Sequence, residues 1–172
     1  MNRRFMSVVA GLVVLAALCG CGTSYSWRSS VPESARTVSV PTFRNESNVF
    51  ELGAIASRQI LREFQREGTF KIRSAGDAAV EVQGVIKSAS SNVSAYDRRS
   101  GMRISAYKMT ATVEVSVIDK RSQKVLVDNR KYEASADFSA GQDLTTAQRS
   151  ASGRLMEDLA RQVVDDVLNL KW

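Results

Sequence analysis

The sequence predicts an α+β domain built as a two-layer α/β sandwich. Its elements follow the order β-α-β-β-β-α, with a mostly antiparallel four-stranded sheet covered by two helices on one face. Three observations predict it. Apolar residues recur every four positions in two separate segments, Leu52 to Phe64 and Leu155 to Val167, as one-faced helices require. Apolar and polar residues alternate strictly from Tyr107 to Val117, as a half-buried strand requires. Shorter alternating runs lie on both sides of that strand, separated by turn chemistry.

The N-terminus reads as a lipoprotein signal peptide over residues 1–20. Arg3 and Arg4 precede an uncharged run from Val8 to Leu18. That run is shorter than the roughly 20 apolar residues a bilayer span needs, and it suits the apolar region of an export signal. Leu18-Cys19-Gly20-Cys21 supplies small residues before a thiol, as a peptidase cutting at a lipid-modified cysteine requires. Cys21 is therefore the expected lipidation site, carrying a covalent diacylglycerol and an N-acyl chain. Each buried lipid methylene contributes about 0.8 kcal/mol, so three chains make a lasting anchor where one does not. Gly22 in place of Asp permits sorting to the outer membrane, on its periplasmic side. Residues 21–36 are then the acylated Cys21 and a flexible tether, and residues 37–172 a single domain.

Thr37 to Phe43 reads as the first strand, with Pro41 near its end because proline lacks a donor. Asn45-Glu46-Ser47-Asn48 is turn chemistry. The first helix is expected from about Phe50 to Glu67, stopped by Gly68, which tolerates the left-handed conformation after a last turn. Phe70 to Arg73 alternates briefly, and Gly76-Asp77 marks a turn. The second strand is expected from Ala79 to Ser88, with Val80, Val82, Gly84 and Ile86 on one face. The long strand from Tyr107 follows, then a polar connection from Asp119 to Lys124. The last strand runs from Val125 to about Phe138, with a bulge near Asp128-Asn129 where alternation fails. Thr145 or Thr146 is the expected cap of the final helix.

The chemistry of catalysis is missing. The chain has no histidine, and of its two cysteines Cys19 leaves with the signal and Cys21 is acylated. Serine-histidine and cysteine-histidine machinery is excluded, and no soft-metal site remains. No glycine-rich phosphate loop appears. Asp165 and Asp166 read as a solvated helix face. The net charge of +6 falls when Arg3 and Arg4 are removed, but the chain stays mildly basic. Export makes nucleic acid an unexpected partner. The expectation is a protein that is not an enzyme and holds no cofactor beyond its lipid.

Several segments in order resemble the lipopolysaccharide-assembly lipoproteins of the LptE family. They are Cys21-Gly22 followed by Tyr25, then Val38 to Asn45 with the amphipathic helix after it, Gly76 to Ile86, and Tyr107 opening the long strand. The resemblance covers nearly the whole exported chain. It implies an outer-membrane lipoprotein that plugs the LptD β-barrel, helps that barrel assemble, and assists lipopolysaccharide insertion into the outer leaflet. It implies contact with lipopolysaccharide, with the hairpin-tip cation falling at Arg98 or Arg99. From the residues themselves, Arg98, Arg99, Arg103 and Tyr96 are the candidate contacts, since planar guanidinium groups suit phosphate. Lys120, Arg121 and Lys124 should lie at the opposite end of the sheet. Phe138 to Gln148 holds no cation, so no contact from that loop is expected. The alternative is another envelope lipoprotein of similar topology, a peptidoglycan-synthase activator or a secretion-channel component.

Overall fold

A computed structural model describes residues 31–99, 101–141 and 143–172. The expected signal peptide, Cys21 and most of the tether lie outside the described residues. Six strands and two helices follow in the order β1 (Thr37–Ser39), β2 (Arg44–Asn45), α1 (Leu52–Glu67), β3 (Lys71–Ile72), β4 (Val80–Asp97), β5 (Arg103–Asp119), β6 (Lys124–Ser139) and α2 (Leu144–Leu168). All six strands form one sheet, in the order β3-β1-β4-β5-β6, with β2 also on β4. The α+β class and the two-helix layer match the sequence reading, but four strands become six.

The pairing corrects the sequence reading too. β4, β5 and β6 form an antiparallel meander, whereas β1 runs parallel to both β3 and β4 and β2 runs parallel to β4. The sheet is mixed because α1 carries the chain back to the end from which β1 started. β3 therefore begins level with β1 and points the same way. The expected strand from Thr37 to Phe43 stops at Ser39, and a second short strand, β2, forms after it at Arg44–Asn45, next to the expected turn. Pro41 has no N–H to give the ladder, and the chain loops away from β4 over Val40 to Phe43 before β2 rejoins it.

That excursion serves the core. Phe43 is buried beneath α1 and over β4. A Cβ on Gly84 would collide with its ring, and one on Gly53 would collide with its carbonyl. The Ser57 hydroxyl accepts the Phe43 N–H at 2.9 Å and lies 3.0 Å from the Pro41 carbonyl. The backbone groups freed by the missing ladder thereby find a partner inside the protein.

The helical stripes pack as their spacing requires. Leu52, Ala56, Ile60 and Phe64 are fully buried, as are Leu155, Leu159, Val163 and Val167. They meet Met109, Ala111, Val113, Val115 and Val117, the odd positions of β5, all likewise buried. Each large apolar side chain so buried contributes about 1.5–3 kcal/mol. α1 starts two residues later than expected, after Glu51 takes a left-handed φ of 63°. It ends at Gly68 as expected, with φ 83°. α2 is capped not by Thr145 or Thr146 but by Asp143, whose carboxylate accepts the Thr146 N–H at 2.9 Å. The earlier acceptor draws the helix start back to Leu144.

The packed part also begins earlier than position 37. Val31 and Ala35 are buried in the core around a short turn at Glu33–Ala35. The bulge expected in the last strand is present: Val115 pairs with Arg130 and Val117 with Val127, leaving Asp128 and Asn129 as the irregularity.

Candidate functional site

β4 and β5 reach far beyond the expected strands. Their pairing continues from Val80 opposite Asp119 to Asp97 opposite Arg103. The last β5–β6 pair is Ala106 with Ser139, so only the hairpin tip projects past the neighbouring strand. The stacked rings of Tyr107 and Phe138, 5.4 Å apart, close the core just below it. The tip turn uses Gly101 at φ 77° and Met102 at φ 61°. The Asp97 carboxylate accepts the Arg99 N–H at 2.8 Å, which holds the turn in shape.

The structure brings the four predicted residues together. Arg98, Arg99 and Arg103 are exposed on this tip. Tyr96 is 55% exposed and stands opposite Ile104. Residues directly opposite on an antiparallel pair share a face, so these two form one apolar spot. Met102, 62% exposed, and Val93 extend the apolar surface. The sequence reading missed Val93, Met102 and Ile104, because they fall between the expected second strand, ending at Ser88, and the long strand from Tyr107. The usable signal was Asp97 to Gly101, whose turn residues mark where the hairpin closes.

Lys120, Arg121 and Lys124 sit at the other end of β5, roughly 50 Å away at about 3.3 Å per residue. The two basic groups do not form one patch. Lys120 is also committed. Its ammonium donates to the Ala75 carbonyl and to Glu81, the latter at 3.0 Å. A hydrogen bond from Gln83, and then the Lys120 ammonium, hold the Glu81 carboxyl below its ordinary range. The β1 start lies at this same end, since Val38 pairs with Val80 beside Asp119. The chain thus enters the sheet at the end opposite the arginine tip.

The open face of the sheet is polar. Opposite pairs across it include Glu114 with Lys131, Thr112 with Glu133, Thr110 with Ser135 and Lys108 with Asp137. Asp166, read from the sequence as solvated, is instead engaged from α2. It accepts the Tyr132 hydroxyl at 2.7 Å and the Arg130 guanidinium at 2.8 Å. Burial opposes its charge, yet the Tyr132 and Arg130 contacts prevail and hold its carboxyl below the ordinary range. Asp165 is exposed. Among the described residues, no group of three or more acidic, histidine or cysteine side chains stands ready for a metal. No described helix is long and apolar enough to cross a membrane.

The fold recurs in other solved structures. A hypothetical protein from Chlamydia trachomatis superposes with a TM-score of 0.54 at 17% identity, covering 77% of this chain and 95% of that one. A protein from Xanthomonas campestris gives 0.54 at 10% identity, covering 80% and 88%. A minor lipoprotein from Acinetobacter baumannii gives 0.51 at 12% identity, covering 79% and 96%. At such identities the likeness is one of fold. No curated protein matches the chain by sequence. The model of the family described as LptE, lipopolysaccharide-assembly, matches residues 35–167, from the turn before β1 to the last turn of α2. The chain belongs to the LptE lipopolysaccharide-assembly family.

Proposed function

We propose that this chain is an outer-membrane lipoprotein, anchored through Cys21 on the periplasmic side. There it plugs and helps assemble an LptD-like β-barrel and assists lipopolysaccharide insertion into the outer leaflet. The observation that carries the proposal is the family match, which spans residues 35–167 with the arginine tip inside it. The shape is compatible with a plug. The interior of a large outer-membrane barrel is polar, and the open sheet face presents Thr, Ser and alternating charges to it. The tip combines arginine with Tyr96, Met102 and Ile104. Arginine suits the phosphates of lipopolysaccharide, and the apolar residues suit its acyl chains. The protein binds, positions and supports its partners; no reaction is assigned to it.

In-cell photo-crosslinking tests the reading. A crosslinker placed at Met102 or Ser122 should yield one large outer-membrane barrel adduct, and that complex should survive detergent extraction, as large interfaces do. A peptidoglycan synthase as the sole adduct would replace this reading with the activator alternative.

A further inference from the structure

The end of the sheet at which the chain enters carries a row of cations. Thr37 at the start of β1 is level with Lys71, Val38 with Val80, Val80 with Asp119 and Asp119 with Lys124. Lys71, Arg73, Arg121 and Lys124 therefore lie at one end, spread from β3 to β6 over roughly 19 Å of strand spacings. All four are exposed. Among the described residues none of them holds an ion pair. The carboxylates beside them are already engaged. Lys120 bonds Glu81, and Arg36 lies 3.9 Å from Glu33. Asp77 accepts the Ser74 hydroxyl, and Asp119 accepts the Ser122 hydroxyl. Arg36, Lys71, Arg73, Lys120, Arg121 and Lys124 thus outnumber Glu33, Asp77, Glu81 and Asp119. Between the chain entry and the β5–β6 turn lies a depression of about 440 Å³, lined in part by Ser34, Thr37, Asp77, Lys120 and Arg121.

We propose that this end of the sheet seats on the anionic headgroups of phospholipids in the leaflet that holds the anchor, with a lipid phosphate at Arg121 beside the depression. The seat rests on the Cys21 anchor proposed above. Val31 is ten residues from Cys21, at most about 36 Å of extended chain. The arginine tip lies roughly 50 Å from the entry end, so the tether is too short for the domain to stand on its tip. The basic end is the one that the tether brings to the surface.

The chemistry of the two ends separates their ligands. Separate cations spread along a line suit a plane of many phosphates, and each one near an anionic surface raises binding about fivefold. At the tip, guanidinium groups stand among Tyr96, Met102 and Ile104, which suits a single amphiphile. Seated on its basic end, the domain holds the arginine tip away from the leaflet, where it stays open to a partner. The seat concerns the domain before it meets a barrel, and its test contains no barrel readout.

Vesicle cosedimentation tests the seat. A Cys21→Ser chain without residues 1–20 keeps the buried core from Val31 to Val167 and carries no acyl chain, so any binding comes from the protein surface. It should bind vesicles of phosphatidylglycerol and phosphatidylcholine about tenfold or more better than vesicles of phosphatidylcholine alone. Raising the salt from about 0.1 M to about 1 M should release it, as the screening length falls from about 10 Å to about 3 Å. Arg121→Asp with Lys124→Asp should lower the binding about tenfold or more with unchanged melting. Lys71→Gln with Arg73→Gln, across the same end and away from the β5–β6 turn, should lower it severalfold. Arg98→Asp with Arg99→Asp at the tip should bind the vesicles nearly as the parent does. Both changes at the basic end should spare binding of detergent-dispersed lipopolysaccharide. The proposal is overturned if phosphatidylglycerol adds nothing, if salt releases nothing, or if either change at the basic end leaves binding at the parent's level. It is also overturned if the tip change weakens vesicle binding as much, or if the basic-end changes weaken lipopolysaccharide and phospholipid binding alike. Palmitate labelling of Cys21 is untouched by any of these results, so the anchor and the seat can fail separately.

Discussion

Phe43 owes its position to two side chains that are missing. Gly53 lets its backbone approach α1, and Gly84 lets its ring lie on β4. Gly84→Val should therefore destabilise the domain by about 1–3 kcal/mol through overpacking. Phe43→Ala should cost about 3–5 kcal/mol through the cavity it leaves. Combined with Phe43→Leu, Gly84→Ala should cost less than the sum of the single changes, because the two compete for one space. Denaturant melts of the five variants check this, and strictly additive costs would mean that the ring does not fill the space over Gly84. A second residue-scale prediction concerns the tip. Arg98→Asp with Arg99→Asp should weaken binding of purified lipopolysaccharide severalfold with unchanged melting. The control belongs at Arg121 and Lys124 rather than Lys120, since Lys120 is bonded to Glu81 and its loss would perturb the fold. Equal weakening by Arg121→Asp with Lys124→Asp would reduce the tip to unspecific charge attraction. The anchor has its own test: Cys21→Ala should abolish palmitate labelling and release the protein from membranes.

At the scale of elements, β5 was the most legible. Its odd positions from Met109 to Val117 are buried and the even ones between them are not, as the alternation requires. Val113→Asp should accordingly prevent folding, because it buries a charge without a partner, whereas Thr112→Asp should melt close to the parent. The reverse order in circular-dichroism melts would invert the assigned faces. The helices were equally readable, since a stripe at spacing four has no other stable use. The far half of β4 was not readable. Ser88 to Asp97 is rich in serine and alanine, which carry little strand preference of their own, and it becomes a strand only because β5 lies beside it. The shortened first strand was half legible. Pro41 announced an interruption, but nothing local showed that Phe43 would turn inward. That outcome depends on Gly53 and Gly84, which lie far along the chain. The parallel pairings were illegible for the same reason: direction is set by the α1 return path rather than by any residue in β1 or β3. The tip cluster was readable as cations and missed as a surface, because its apolar members fall in stretches without clear periodicity.

For the whole molecule, acid sensitivity follows from carboxylates that are held in their charged form. Asp166 is stabilised in the charged form by Tyr132 and Arg130, and Glu81 by Gln83 and Lys120, so both folded-state values lie below the unfolded ones. Their contribution is full above the unfolded values, near 3.8 for aspartate and 4.5 for glutamate. It is lost as pH falls through the lowered folded values. Asp166→Asn should therefore be less stable than the parent at neutral pH and approach it as the pH falls below 3.8. A constant difference across that range in urea titrations would mean that the Tyr132–Asp166–Arg130 contacts do not depend on charge.

The parallel pairing of β1 with β4 has a mechanical consequence. With a lipid at Cys21 and a partner holding the arginine tip, tension would enter through the start of β1 and leave through the far end of β4. These points lie at opposite ends of two strands that run the same way. The load would act along the strands, so the hydrogen bonds joining them would share it in shear instead of peeling apart one after another. An antiparallel first strand entering from the tip end would be unzipped by the same pull. A chain anchored there could be tugged without losing its first strand.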